Sequence, residues 1–433
     1  MAAPSAEAKA ILALVKKADA KAEALVNVQN THRANTRFAR NEITTSAEID
    51  DSRVSLTVQL GLRSATANTN QKSPAALQAL VERTVAMAKL SPELPEAMPV
   101  LGAQKLGAGL TLSEDALGTL DAASRAKGIA AALSHSKDEL MTAGVLEIEH
   151  GTVNRVSSAG LDVSVAYTEA GFSVTSRTKD GTGSGWNSIH TRRKAELDFE
   201  KVGRIAAEKA RASAKPKALE PGRYTVVLEP AAAATLCQYV VGSLDRRAVD
   251  EGRSCFVGKL GQRIANERIT FTSDTKTNPM LPFDGEGTVL APRTWVDKGV
   301  LKEFFVSRFW ARKQNTTATG SYDGFEVLPG DATREQLLSG IKRGVLITRF
   351  WYSNFIDAKT LGVTALTRDG TFLIEDGVVT SPIKNFRMNN SVLAALEKVD
   401  AVGNTIETPQ SAVWRVPALR THEFLLASTS DAV

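Results

Sequence analysis

A period of two runs through most of this chain and limits what it can become. Val54, Leu56, Val58, Leu60 and Leu62 alternate with polar residues, the pattern of an antiparallel strand with one buried face. The same period returns in VLEIEHGTVNRV and LDVSVAYTEAGFSVTSR. These read as a strand and a hairpin, with Val163, Val165 and Tyr167 on one arm and Phe172 and Val174 on the returning one. Beyond residue 222 the segments VLKEFFVSRFWARK, GVLITRFWYSNF, ALTRDGTFLIEDGVVTSP and AVWRVPALRTHEFLLAS supply further alternating strands. Within them FLIEDGVV places Asp-Gly between two apolar runs, a strong hairpin signal.

Helical spacing is confined to a few windows. Ile11, Leu12, Val15, Ala22, Leu25 and Val26 predict an amphipathic first helix. Others are expected over 74–89, 113–127, 128–134, 196–212 and 231–243. Lysine, proline and glycine cluster over 213–222, which marks a boundary. The expected fold is α+β in two domains. Residues 1–215 form a domain of mixed helix and antiparallel strand, and 216–433 a mostly antiparallel β domain with few helices, one of them at 231–243.

With 433 residues, 43% hydrophobic and 23% charged, the chain has ample material for a buried core. Its net charge of +5 is spread over the chain. Basic density occurs only at His190 to Lys194 and Asp245 to Arg247, so a nucleic-acid groove is not expected. Only two cysteines, Cys237 and Cys255, are present, the usage of a reducing compartment. A cytoplasmic location is expected. The apolar run Ile11 to Val15 is too short for a signal-peptide core, and no stretch of about twenty apolar residues spans a membrane.

Common catalytic motifs are missing. Gly181-Thr182-Gly183-Ser184-Gly185 has its serine one place too late for a nucleophile elbow, and Gly258-Lys259 is followed by leucine where a phosphate loop needs serine or threonine. Zinc hydrolysis needs two or three protein ligands, an open position for water and a carboxylate to take its proton. His32, His135, His150, His190 and His422 are scattered, with no two at helical ligand spacing. Each reads as a surface or structural side chain.

In order, the phrases YTVVLEPAAAATLCQYVVGSLD, RSCFVGKLGQRIA, FDGEGTVLAPRTWVDKGVLKEFFVSRFWARK and TATGS resemble the TldD/PmbA family of cytosolic peptidases. The resemblance extends through TRFARNEI and VSSAGLDVSVAYTEAGFSV to GVLITRFWYSN and GTFLIEDGVVTSPIKNFRMNNSVLAALEKVDAVGN, and so covers nearly the whole chain. It departs at Ser157, where an asparagine is usual, and at Gln314-Asn315. Individually, Asp284-Gly285-Glu286-Gly287 and Thr319-Gly320 read as tight turns.

The active TldD type carries H-E-x-x-x-H, and here the aligned stretch is Cys237-Gln238-Tyr239-Val240-Val241-Gly242. The resemblance thus makes Cys237, Gln238 and Gly242 degenerate metal-site positions, with Tyr239 and Leu236 as possible cavity lining. A third ligand, a cysteine after a Val-Gly pair, is also replaced, since no cysteine follows Val402-Gly403. What this implies is a PmbA-like (TldE-like) subunit with no catalytic residue and no cofactor of its own. It would pair with a zinc-bearing TldD-like chain around an extended peptide. Two alternatives stand beside it: a metal-free homodimeric peptide-binding or scaffold protein, and an enzyme with rebuilt chemistry using Cys237 with Gln238 or Tyr239.

Overall fold

The computed structural model describes residues 6–430 except 108, 137 and 138. Met1 to Ser5, which precede the short apolar run Ile11 to Val15, lie outside the described residues. The fold is α+β and is built on two sheets.

The first sheet holds β1 (Glu23–Ala39), β2 (Glu42–Leu60), β3 (Arg63–Thr69), β4 (Leu140–Ser157), β5 (Asp162–Thr178) and β6 (Ser184–Thr191), in the order β3-β2-β1-β4-β5-β6. Every neighbouring pair is antiparallel. Helices α1 (Ala6–Ala18) and α2 (Pro74–Leu90) cover Val26, Val28, Val54, Leu56 and Val58. Beside them, α3 (Asp115–Gly118), α4 (Ala122–Leu133) and α5 (Phe199–Ala212) lie at the part of the sheet carrying Phe38, Leu146, Ile148 and Phe172.

Local expectations are corrected at four places in this half. The first helix stops at Ala18, and Leu25 and Val26 belong to β1. Gly61 and Leu62 are a two-residue turn between β2 and β3, with Gly61 at φ 61°, so Leu62 leaves the alternation and stands 44% exposed. The two helices expected at 113–134 divide at Thr119 to Asp121, because the Asp121 side chain caps α4 by accepting from Ser124 N. Finally, β5 is one 17-residue strand without a turn. Val163 and Tyr167 pack toward Phe283, whereas Ala170, Phe172 and Val174 face the helices. The buried parity switches between Tyr167 and Ala170, and that switch imitates a hairpin in the sequence.

The second sheet has eleven strands: β7 (Gly222–Leu228), β8 (Phe271–Ser273), β9 (Arg293–Asp297), β10 (Val300–Leu301), β11 (Phe325–Val327), β12 (Arg343–Asp357), β13 (Gly362–Glu375), β14 (Val378–Pro382), β15 (Asn385–Ser391), β16 (Val399–Glu407) and β17 (Trp414–Ser430). Its main path runs β10-β9-β8-β11-β17-β15-β13-β12-β7, with β14 on β13 and β16 on β17. Because β7 also pairs with β17, strands β17, β15, β13, β12 and β7 close into a ring, which protects their backbone groups from stray pairing. The Asp376-Gly377 turn joins β13 to β14 with both residues at positive φ, as a type I′ hairpin demands.

Five helices accompany this sheet: α6 (Pro230–Gly242), α7 (Arg246–Asp250), α8 (Arg308–Gln314), α9 (Arg334–Leu338) and α10 (Val392–Glu397). One departs from the strand expectation. VLKEFFVSRFWARK yields only the short β10 before turning into α8, since Ser307 caps the helix by accepting from Trp310 N and Asn315 ends it in the left-handed region. The largest apolar core lies between α6 and the inner faces of the sheet, around Leu228, Trp295, Phe325, Val345, Phe386 and Leu419.

The two halves are tied through buried polar contacts. Ser184 of β6 donates its hydroxyl to Asp369 of β13, which also receives Arg349 of β12. The Arg349 guanidinium lies 4.4 Å from the centroid of Trp186.

Candidate functional site

Helix α6 forms because Pro230 occupies its first turn, where a missing N–H costs nothing, and four alanines follow. Nearly all of it is buried. Leu236 is 1% exposed and Cys237 0% exposed, both inside the main core. The thiol of Cys237 is pushed up to about 12 by burial, and the side chain is enclosed in the core and not at the cleft.

The C-terminal turn of α6 reaches outward. Gln238, Tyr239 and Gly242 border a cleft of about 420 Å³ whose other wall is Ser353 and Phe355 of β12. Tyr239 meets Phe355 edge to face, with centroids 4.7 Å apart and planes at 88°. A Cβ at Gly242 would meet nothing within 4 Å, so this position is open. Leu236 does not line the cleft, because its side chain points into the core. Of the sequence-derived positions, the structure thus brings Gln238, Tyr239 and Gly242 together and turns Leu236 and Cys237 away from them.

Ser353 and Phe355 were not singled out from sequence. The available signal was Phe350-Trp351-Tyr352, three aromatics in succession, which cannot all obey a period of two. Here β12 slips register against β13 between Trp351 and Asn354, and Tyr352 adopts φ 57°. Such a bulge re-aims side chains. Strand β7 pairs with β12 only over Gly344 to Ile347, so beyond Ile347 the outer edge of β12 has no partner strand among the described residues. Trp351, Tyr352, Phe355 and Ile356 are exposed there.

The donor set does not fit zinc. Among the described residues no group of three His, Cys, Asp or Glu side chains is placed to hold a metal ion. His32 pairs with Asp50, and His422 lies between Asp400 and Thr225. His190 is held near pKa 4 by burial, and His135 approaches Glu200. Gly403, after which the resemblance implies a third ligand, lines a different cavity with Glu229 and Pro230 at the other end of α6.

Profiles of the PmbA/TldA metallopeptidase family match residues 24–88 (domain 1), 113–214 (central domain) and 221–428 (C-terminal domain). The chain belongs to the PmbA/TldD family. A metalloprotease of Methanothermobacter thermautotrophicus is 27% identical over 222 residues, covering 48% of each chain. The metalloprotease PmbA of Escherichia coli O157:H7 is 23% identical over 220 residues, covering 48% of this chain and 47% of that one. The chain therefore spans about half the length of the curated relatives it matches. In fold it is similar to TldE from Thermococcus kodakarensis, at a TM-score of 0.87, 18% identity, and coverage of 98% of this chain and 100% of the other.

Proposed function

We propose that this chain is the non-catalytic, PmbA/TldE-like subunit of a cytoplasmic heteromeric zinc metallopeptidase that acts on unfolded or leader peptides. The observation that carries the reading is chemical. At the helix where the family's active type would present ligands and a base, this chain offers the cleft only an amide, a phenol and a glycine. Zinc and the activated water would come from a TldD-like partner. This chain helps form the chamber. The unpartnered edge of β12 beside the cleft offers backbone N–H and C=O groups to an extended peptide, and pairing of that kind selects for an unfolded backbone more than for side-chain identity. No helix among the described residues is long and apolar enough to cross a membrane.

The test is a tagged pull-down from the native cells with mass spectrometry. Stoichiometric recovery of a chain carrying H-E-x-x-x-H, with peptide cleavage by the pair and not by this chain alone, is the expected result. Stoichiometric zinc and peptide cleavage in this chain purified alone would sink the proposal. Recovery of this chain only, as a homodimer, would support the metal-free binding protein instead.

A further inference from the structure

A second cavity, of about 540 Å³, lies between the two halves of the molecule, at the opposite end of α6 from the cleft. One wall is α5 of the first half, with Arg204, Glu208 and Lys209. The facing wall comes from the second half, with Glu229 before α6, Arg334 of α9 and Glu407 of β16. Its floor is apolar, built from Val227, Leu337, Leu338, Leu346 and Ala418. A junction between domains with an apolar floor and a few convergent polar groups is where small molecules most often bind, and the volume is in the usual range.

Charge on the walls balances in number, with three cations against three carboxylates, but the pairing is uneven. Arg204 and Glu208 satisfy one another. Glu229 is held by both Lys209 and Arg334. Arg334 donates to Glu229 alone among the described residues, and its side chain is 61% exposed, leaving donors available. The Glu407 side chain lines the cavity without a hydrogen bond or ion pair among the described residues. One guanidinium with spare donors and one uncommitted carboxylate therefore share a cavity that is neutral in sum.

We propose that this cavity binds a free amino acid or short peptide with an apolar side chain. The ligand's amine lies at Glu407, its carboxylate at Arg334, and its side chain on the Leu337 and Leu338 floor. A zwitterion meets the spare donors of Arg334 and the carboxylate of Glu407 at once. A simple cation leaves those donors unused, and a simple anion leaves Glu407 unpaired. The inference stands apart from the subunit reading, since it concerns a different cavity and is tested without a partner chain or cleavage.

The experiment is calorimetric titration of the full chain with L-leucine, Leu-Ala and Leu-Ala-Ala, and with the N-acetylated and C-amidated form of each. Saturable binding of at least one free form is expected, with each block weakening it by about tenfold or more. Glu407→Gln, a substitution at an exposed position, should weaken the free form to the level of the acetylated one and leave the acetylated one unchanged. The rank of the three lengths tells a free amino acid from a peptide. No saturable heat from any free form up to roughly 10 mM, equal binding of free and blocked forms, or an unchanged affinity in Glu407→Gln would each overturn the proposal.

Discussion

Tyr239 and Phe355 meet edge to face at 4.7 Å across the cleft, joining the outward turn of α6 to a strand more than a hundred positions away in the chain. An edge-to-face pair contributes about 0.5–1.5 kcal/mol beyond the area it buries. Phe355 is 52% exposed, so little buried area is lost with it. Phe355→Ala should therefore lower unfolding stability by about 1 kcal/mol, and the Tyr239→Ala, Phe355→Ala double variant should lose less than the sum of the singles. Denaturant unfolding of the four proteins checks this, and strict additivity would mean that the rings do not interact.

The contact of Asp369 with Ser184 and Arg349 places a buried carboxylate between the two halves. Asp369 is 1% exposed and sits at φ 54°, a conformation asparagine also tolerates. Asp369→Asn thus keeps the backbone and removes the charge, leaving the Arg349 guanidinium, which is already partly desolvated, without its counter-ion. Breaking such a pair typically costs about 3–5 kcal/mol. A matching loss in chemical unfolding is expected, whereas a change below about 1 kcal/mol would place the pair among weakly contributing surface bridges.

Alkaline stability should depend on Cys237. Its thiol is raised from the ordinary 9.0 to about 12 by burial, so above pH 9 the unfolded chain loses a proton that the folded chain keeps. The unfolded state then binds fewer protons, and stability falls as pH rises from 9 toward 12, by a few kcal/mol in total. Cys237→Ala should remove most of that slope, and the native protein should resist thiol alkylation at pH 8 until unfolded at this position. Rapid alkylation of native Cys237 would show the thiol to be accessible.

His190 carries the opposite dependence. Burial lowers it from 6.5 to about 4, and its ring lies against Gly171, where an added Cβ would come within 2.8 Å of Cε1. Between those pH values the unfolded chain binds the extra proton, so stability is lost as pH falls from 6.5 toward 4, by about 3 kcal/mol. An NMR titration of the ring that stays flat above pH 5 is the expected outcome.

Much of the strand content was legible because one-sided burial writes a period of two into Val54, Leu56 and Val58, and because Asp376-Gly377 can sit at positive φ where few other pairs can. The errors have physical causes as well. In β5 a single strand buries opposite faces at its two ends, which a local window reads as a turn at Tyr167 to Ala170. In α8 the Ser307 cap outweighed an apolar pattern that suited a strand. At the candidate site, the contents of α6 could be read but not which of them face the cleft, since burial of Cys237 and Leu236 is decided by packing against β12 and β17. Ser353 and Phe355 join the site only through the register slip at Tyr352.

The orientation of α6 yields the sharpest test of how this site differs from a zinc centre. Positions 238 and 242 lie four apart on one helical face and both border the cleft, the spacing at which two imidazoles converge on one ion. Cys237 points into the core and cannot join them. A Gln238→His, Gly242→His variant should therefore bind Zn²⁺ or Ni²⁺ near one equivalent, because Gly242 has open space and Gln238 is partly exposed. A Cys237→His, Gly242→His variant, which restores histidine where the aligned motif would have it, should bind no ion tightly and should lose about 1–3 kcal/mol to overpacking in the core. Calorimetric metal titration with parallel unfolding curves separates the two. If the Cys237 variant bound zinc as tightly as the Gln238 variant, α6 would have to rotate about its axis from the orientation described, and the aligned motif would be a better guide to this helix than its packing.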